Sequence, residues 1–252
     1  MDKQRIMVEP MSSNPRTDRL PRLGLIGGMS WRSTADYYAR INEISETRYG
    51  AHHNASLMID SLEFAPLLEA GGRGAWHEVE AEFIAAGRRL QAAGCVAVGL
   101  TAVTAHRCHE AVAAALSIPV PHIFDAAAAE LAAENILRVG LLGTSRTLAA
   151  PFLLDRMAGR AAREILRPDA DMQGRLDVLI FERLTQGIVD DDGRAVMDSA
   201  IAALRSGGAE AIVLACTELP LLLRPDHTAA GIIDAAALHA SFLYDTAMDA
   251  QS

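Results

Sequence analysis

From Arg22 onward, short apolar runs of strand length alternate with Ala-rich stretches of helix length. The runs Leu23-Gly24-Leu25-Ile26, Ser56-Leu57-Met58-Ile59, Val96-Ala97-Val98-Gly99-Leu100, Pro121-His122-Ile123-Phe124, Val139-Gly140-Leu141-Leu142, Ile212-Val213-Leu214 and Gly231-Ile232-Ile233 read as strands. Their near-continuous apolar character is that of strands buried on both faces. Helices are expected over 34–47, 76–93, 126–133, 149–157, 176–186 and 194–206. This alternation predicts an α/β fold in which parallel sheets are covered by helices. Residues 1–20 have no periodic apolar face and read as a flexible polar tail.

One internal similarity divides the chain. The segment from Gly94 to Ala102 ends a helix, makes a strand and stops in a loop, and the segment from Gly208 to Cys216 does the same. A Thr and a further polar residue follow each: Thr104 and His106 after the first, Thr217 and Glu218 after the second. Any two αβ units share some likeness, but a true repeat makes two similar lobes with Ala102 and Cys216 at matching strand ends. The lobes are expected at 21–125 plus 235–252 and at 126–234. Ligands of open α/β sheets bind outside the carboxyl ends of strands, so a site is expected between them.

Composition removes several classes of function. Half of the 252 residues are hydrophobic and 22% are charged, which supports a sizeable core and excludes a disordered chain. A net charge of −9 argues against nucleic acid or an anionic membrane surface as partner. No run is long and apolar enough for a membrane span, and the first twenty residues lack the core of a secretory signal. Cys95, Cys108 and Cys216 are too few and too scattered for a disulfide framework, so a reducing, cytoplasmic setting is expected.

The strand exits hold the candidate chemistry. Gly27-Gly28-Met29-Ser30 and Gly143-Thr144-Ser145 each follow a strand, where backbone amides can meet an anion, although both also suit a plain turn and N-cap. The glycine pattern is not that of a dinucleotide site and fits a small carboxylate better. Cys216 ends an apolar strand beside Thr217 and Glu218, and is either a small core residue or a thiol activated at a strand exit. His106, Cys108 and His109 are too compactly spaced for a zinc site and read as a solvated helix start.

Taken together, Leu23-Gly24-Leu25-Ile26-Gly27-Gly28-Met29-Ser30-Trp31 with Ser33-Thr34 and Tyr37-Tyr38, then Leu141-Leu142-Gly143-Thr144 with Thr147, then Cys216-Thr217-Glu218-Leu219-Pro220-Leu221-Leu222, then Asp234 with His239, resemble the motifs of the aspartate/glutamate racemase family in order and spacing. The resemblance extends over about residues 22 to 245 and implies two pseudo-symmetric lobes, a site between them, no cofactor and a homodimer. It implies a small amino or carboxylic acid as substrate and two opposed cysteines that exchange protons with its α-carbon. The second cysteine corresponds to Cys216. The first falls at Ala102, in Ala102-Val103-Thr104-Ala105-His106.

Ala102 carries no proton, so Thr101, Thr104, His106 or water would have to serve that face. The resemblance further implies that Met29, Ser30, Thr104, Thr144, Ser145 and Thr217 hold the α-carboxylate, that Arg48 contacts a substrate carboxylate, and that His239 lines the cleft. Ile188 stands where members acting on acidic amino acids resemble one another in carrying lysine, which predicts poor turnover of aspartate and glutamate. Three readings follow: a cofactor-independent racemase or epimerase, a single-cysteine decarboxylase resembling arylmalonate decarboxylase, and a non-catalytic carboxylate binder.

Overall fold

The computed structural model describes residues 20–158, 164–223 and 231–250, so the expected tail lies outside them apart from Leu20. Strands β1 (Arg22–Gly27), β2 (Leu57–Ser61) and β3 (Cys95–Leu100) form a parallel sheet in the order β2-β1-β3. A second parallel sheet joins β4 (Arg138–Leu142), β5 (Glu164–Leu166), β6 (Ala211–Leu214) and β7 (Ile232–Asp234) in the order β5-β4-β6-β7. The first strand of each half is therefore central, the second lies on one side of it and the third on the other. This is the two-lobed α/β architecture that the internal similarity predicts. Around the sheets lie α1 (Trp31–Tyr49), α2 (Phe64–Gly72), α3 (Trp76–Ala92), α4 (His109–Ala115), α5 (Ile123–Ala133), α6 (Ser145–Leu148), α7 (Pro151–Ala158), α8 (Ala170–Val178), α9 (Asp191–Ser206) and α10 (Ala235–Asp249). None of the described helices is long and apolar enough to cross a membrane.

The repeat has a physical basis in how each helix turns into its strand. Gly94 follows α3 with φ +84° and Gly208 follows α9 with φ +95°, a backbone region that side chains rarely adopt. From each glycine the chain enters the sheet, and the strands end at Leu100 and Leu214. Ala102 and Cys216 each stand two residues beyond a strand end.

Three sequence expectations are corrected. The run Pro121-His122-Ile123-Phe124 is a helix start rather than a strand, because the His122 side chain caps α5 by accepting from the Phe124 amide at 3.1 Å. The 103–108 segment is a buried 3-10 turn, not a solvated helix start: His106, Cys108 and His109 are at most 6% exposed. It joins the lobes, since Val103 packs in the core of the second and Ala105 and Cys108 pack in that of the first. Helix α10 was not anticipated; it returns to the first lobe and packs on α1, α5 and β3.

Four buried imidazoles gather beside this turn. The ring centroid of His122 is 4.6 Å from that of His106 and 4.8 Å from that of His109, while His239 of α10 is 5.2 Å from His106. Among the described residues no group of three or more His, Cys, Asp or Glu is arranged to hold a metal ion. The hydrogen bonds show why. His106 Nδ1 donates to the Ala102 carbonyl and His109 Nε2 donates to that of Val120. His239 Nε2 donates to the Pro121 carbonyl while its Nδ1 accepts from the Tyr37 hydroxyl. These nitrogens thus face backbone, Tyr37 or Glu110 rather than a common centre, while His106 Nε2 is buried without a hydrogen-bond partner among the described residues.

Burial, reinforced by its three neighbouring imidazoles, holds His106 well below the ordinary histidine range. Burial, against the opposing influence of the Pro121 carbonyl, brings His239 down to about 4. The carboxylates facing the cluster are Glu110, 3.3 Å from His109 Nδ1, and Asp125, whose charge is matched by Arg156. Asp234 lies toward Tyr37 and is paired with Arg40.

These shifts predict a pH dependence of stability. The unfolded chain takes up protons at these two positions as pH falls below about 6.5, whereas folded His106 and His239 stay neutral, so stability is lost from there down through the folded value. His239 alone accounts for about 3 kcal/mol of that loss. Urea unfolding at a series of pH values should show the decline beginning near pH 6, above the range in which exposed carboxylates titrate. A flat profile down to about pH 4.5 would contradict neutral His106 and His239.

Candidate active site

Four loops at strand ends bear the chemistry. The turn after β1 is built on Gly28, whose φ of +92° lets the chain reverse directly into α1. Ser30 then N-caps α1: its hydroxyl accepts from the Ser33 amide and its carbonyl accepts from the Thr34 amide. Thr34 also receives the Gly28 amide on its hydroxyl at 3.0 Å. In the second lobe, Thr144 caps α6 in the corresponding way by accepting from the Thr147 amide. The Gly143 carbonyl is held by the side-chain amide of Gln173 at 3.0 Å. Met29 and Ser30 are half-buried beside the first turn, and Thr144 is buried beside the second.

Cys216 lies past β6 with its thiol 7% exposed, packed into the apolar core of the second lobe. Its Sγ donates to Glu218 Oε2 at 3.3 Å, and Thr217 donates to the same oxygen at 2.8 Å. Burial pushes the thiol well above its usual range, and the Glu218 charge adds to the shift. Cys216 is therefore a protonated thiol whose proton already points at a carboxylate. Glu218 is itself buried and accepts from both the thiol and the Thr217 hydroxyl, which fixes its carboxylate beside Sγ. The Cys-Thr-Glu spacing was visible in sequence; that the glutamate folds back onto the thiol was not.

The other two cysteines are inert by comparison. Cys108 is pushed up to about 12, mainly by burial, and Cys95 is raised for the same reason. Neither has a carboxylate hydrogen-bonded to it in the described structure.

Four of the remaining expected site residues have other partners in the described structure. Thr101 is 1% exposed; its hydroxyl donates to the Ile26 carbonyl and lies 3.1 Å from the Thr34 hydroxyl. Its own carbonyl accepts from Ser33, so Thr101 braces the β1 turn and is not poised as a base. Ser145 has its amide committed to Asp177 at 2.8 Å, and that carboxylate would repel an arriving anion. His239 is fully buried with both nitrogens hydrogen-bonded, which makes it a strut rather than a cleft wall.

Arg48 is displaced furthest. It lies in the last turn of α1, 18 residues beyond Ser30, which at about 1.5 Å per residue is about 27 Å from the β1 turn. There it pairs with Asp245 and stacks over Tyr244. Thr104, by contrast, is exposed two residues past Ala102, with its hydroxyl on the first turn of the 3-10 segment.

A side chain missed in sequence joins the lobes near these loops. Arg32, two residues past Ser30, donates from Nη1 to the Thr185 carbonyl of the second lobe at 2.8 Å. A groove of about 580 Å³ lies elsewhere, among Asp171, Arg175, Arg183 and Asp192 on the helices of the second lobe, and includes none of the four loops.

A family model described as Asp/Glu/hydantoin racemase matches residues 26–243. Among solved structures, a candidate Asp/Glu racemase from Yersinia pestis is 30% identical, with a TM-score of 0.83 over 90% of this chain and 99% of that one. An aspartate racemase homologue from Pyrococcus horikoshii OT3 is 27% identical, with a TM-score of 0.80 over 90% of this chain and 98% of the other. A glutamate racemase isoform from Bacillus anthracis shares the fold at 18% identity, with a TM-score of 0.60 over 88% of this chain and 79% of that one.

Proposed function

The chain belongs to the Asp/Glu/hydantoin racemase family, and on that premise we propose that it transfers a proton at the α-carbon of an amino acid, independently of pyridoxal phosphate, with Cys216 as the acid/base group. The observation that carries this reading is the Cys216 thiol donating to buried Glu218. When substrate binds, Glu218 Oε2 takes the thiol proton, and the thiolate so formed removes the α-proton from the face it meets. Electron density then moves from the broken C–H bond into the α-carboxylate. Donors aimed at that carboxylate stabilise the resulting enediolate. Ser30, Thr104 and Thr144 carry hydroxyl groups on these loops, while Met29 and Thr217, whose own hydroxyl donates to Glu218, offer backbone.

The opposite face belongs to Ala102, the counterpart of Cys216 in the repeat. Its methyl group neither gives nor takes a proton, so water or the Thr104 hydroxyl delivers the proton there. Cys216-side exchange is consequently faster than inversion. The same asymmetry favours a second reading: loss of carbon dioxide from a malonate-type acid makes the carbanion directly and needs one proton donor. Carbon dioxide release from a disubstituted malonate, in the absence of exchange with any amino acid, would select it.

The role of Glu218 is testable apart from that of the thiol. Glu218→Gln keeps the shape and a hydrogen-bond acceptor but cannot take the thiol proton. We expect α-hydrogen exchange to fall roughly 100-fold in kcat with KM little changed. Full activity of this variant would remove Glu218 from the mechanism.

A further inference from the structure

We infer that Asp177 is a specificity-determining residue of this site, the carboxylate that receives the α-ammonium group of an amino-acid substrate. The inference rests on the proton-transfer reading for the location of the site and on separate geometry for the ligand group. Asp177 stands on α8 four residues after Gln173, a spacing that puts both side chains on one face of the helix. That face meets the turn after β4. Gln173 Nε2 donates to the Gly143 carbonyl at 3.0 Å and to Asp177 Oδ1 at 3.1 Å, and the Ser145 amide donates to the same Oδ1 at 2.8 Å.

The carboxylate is thus pinned through one oxygen. Its other oxygen, Oδ2, has neither a hydrogen-bond nor an ion-pair partner among the described residues, and solvent reaches it. Asp177 is half-buried and Ser145 is exposed, so this oxygen lies on the loop rather than in the core. Beside it the oxygen of the same Gln173 amide is a further acceptor, buried without a donor. The second-lobe turn therefore offers acceptors and a negative charge.

Charge decides which part of a substrate fits there. An α-amino acid carries one group of each sign on its α-carbon. With the carboxylate toward Ser30 and Thr104 and the ammonium on Asp177 Oδ2, it is held from both lobes, and the two faces of the α-carbon are left to Cys216 and Ala102. The contact also serves the chemistry. A carboxylate favours the charged form of the nitrogen, and a positive charge beside the α-carbon stabilises the carbanion that loss of the α-proton leaves. A malonate-type acid brings a second anion in place of the cation, and Asp177 repels it.

The test is calorimetric binding to the full chain of three pairs of acids that differ only in an ammonium or a hydroxyl on the α-carbon: L-alanine and L-lactate, L-aspartate and L-malate, L-phenylalanine and L-phenyllactate. Wild type should bind the amino acid of at least one pair roughly 10-fold or more tightly than its hydroxy counterpart. Asp177→Asn keeps an acceptor for the Ser145 amide and removes the charge. It should weaken that amino acid roughly 30-fold and leave the hydroxy acid unchanged or tighter, while Asp177→Glu should recover part of the loss. Equal weakening of both members of a pair would make Asp177 only a brace for the β4 turn, and a wild type that prefers no amino acid to its hydroxy counterpart would overturn the assignment. Because binding is read without turnover, an Asp177-dependent preference for the amino acid in a protein that exchanges no α-hydrogen leaves Asp177 in place and defeats the proton-transfer reading instead.

Discussion

Cys216→Ser is expected to abolish α-hydrogen exchange, lowering the rate roughly 10³-fold or more while the protein stays folded. Serine has nearly the volume of cysteine and its hydroxyl can still donate to Glu218, so the second lobe loses little packing. Chemistry is what changes. A serine hydroxyl is a far weaker acid than a thiol, and Glu218 cannot draw off its proton to leave a usable base. Substrate affinity should be almost unaltered, since the loop hydroxyls are untouched. Cys216→Ser therefore separates a catalyst from a carboxylate-binding protein: activity with unchanged rate in the variant would make the thiol a core residue after all. Cys95→Ser and Cys108→Ser supply the controls, because both thiols are buried away from a carboxylate partner.

The second large effect concerns the turn after β1. Gly28→Ala should destabilise the fold by about 3–4 kcal/mol, enough to leave much of the chain insoluble. Two costs coincide at this residue. Its φ of +92° is strained for any residue with a side chain. The added carbon would also come within van der Waals radii of backbone, with Leu62 O and N at about the 2.0 and 2.6 Å positions now open to glycine alone. Leu62 cannot swing aside, because its amide donates to the Gly27 carbonyl and ties the end of β2 to this same turn. Urea unfolding monitored by circular dichroism measures the loss. A change under about 1 kcal/mol would mean that the turn relaxes in a way the hydrogen bonds around Thr34 and Thr101 do not suggest.

How much of this was legible in sequence follows from the range of the interactions involved. The spacing from Gly94 to Ala102 and from Gly208 to Cys216 is local, and it located two equivalent strand ends correctly. Strands β1, β3, β4 and β6 were equally plain because they are apolar apart from Arg22 and Arg138 at the starts of β1 and β4. Two other elements were not: β5 has three residues, and α10 is an Ala-rich run with no strong polar face. The run at 121–124 was apolar and short, a pattern that strand and helix start share until His122 is seen to cap.

Side-chain roles failed where a distant partner decides them. Arg48 and Arg32 are both arginines of one helix, yet one pairs with Asp245 at its far end and the other reaches Thr185 across the lobes. His239 looked like a ligand contact until Tyr37 and Pro121, 202 and 118 residues away, took both of its nitrogens. Thr101 was drawn from the candidate bases by Ile26 in the same way.

The central claim is that Cys216, with Glu218, moves a proton at one face of an amino acid's α-carbon. Its most direct test is incubation of the purified protein with aspartate, glutamate and alanine in deuterium oxide, following α-deuterium by proton NMR and the enantiomeric ratio in the same samples. The account predicts deuterium incorporation that outpaces loss of optical purity and disappears in Cys216→Ser. No incorporation into any of the three, or incorporation that survives in Cys216→Ser, would contradict it.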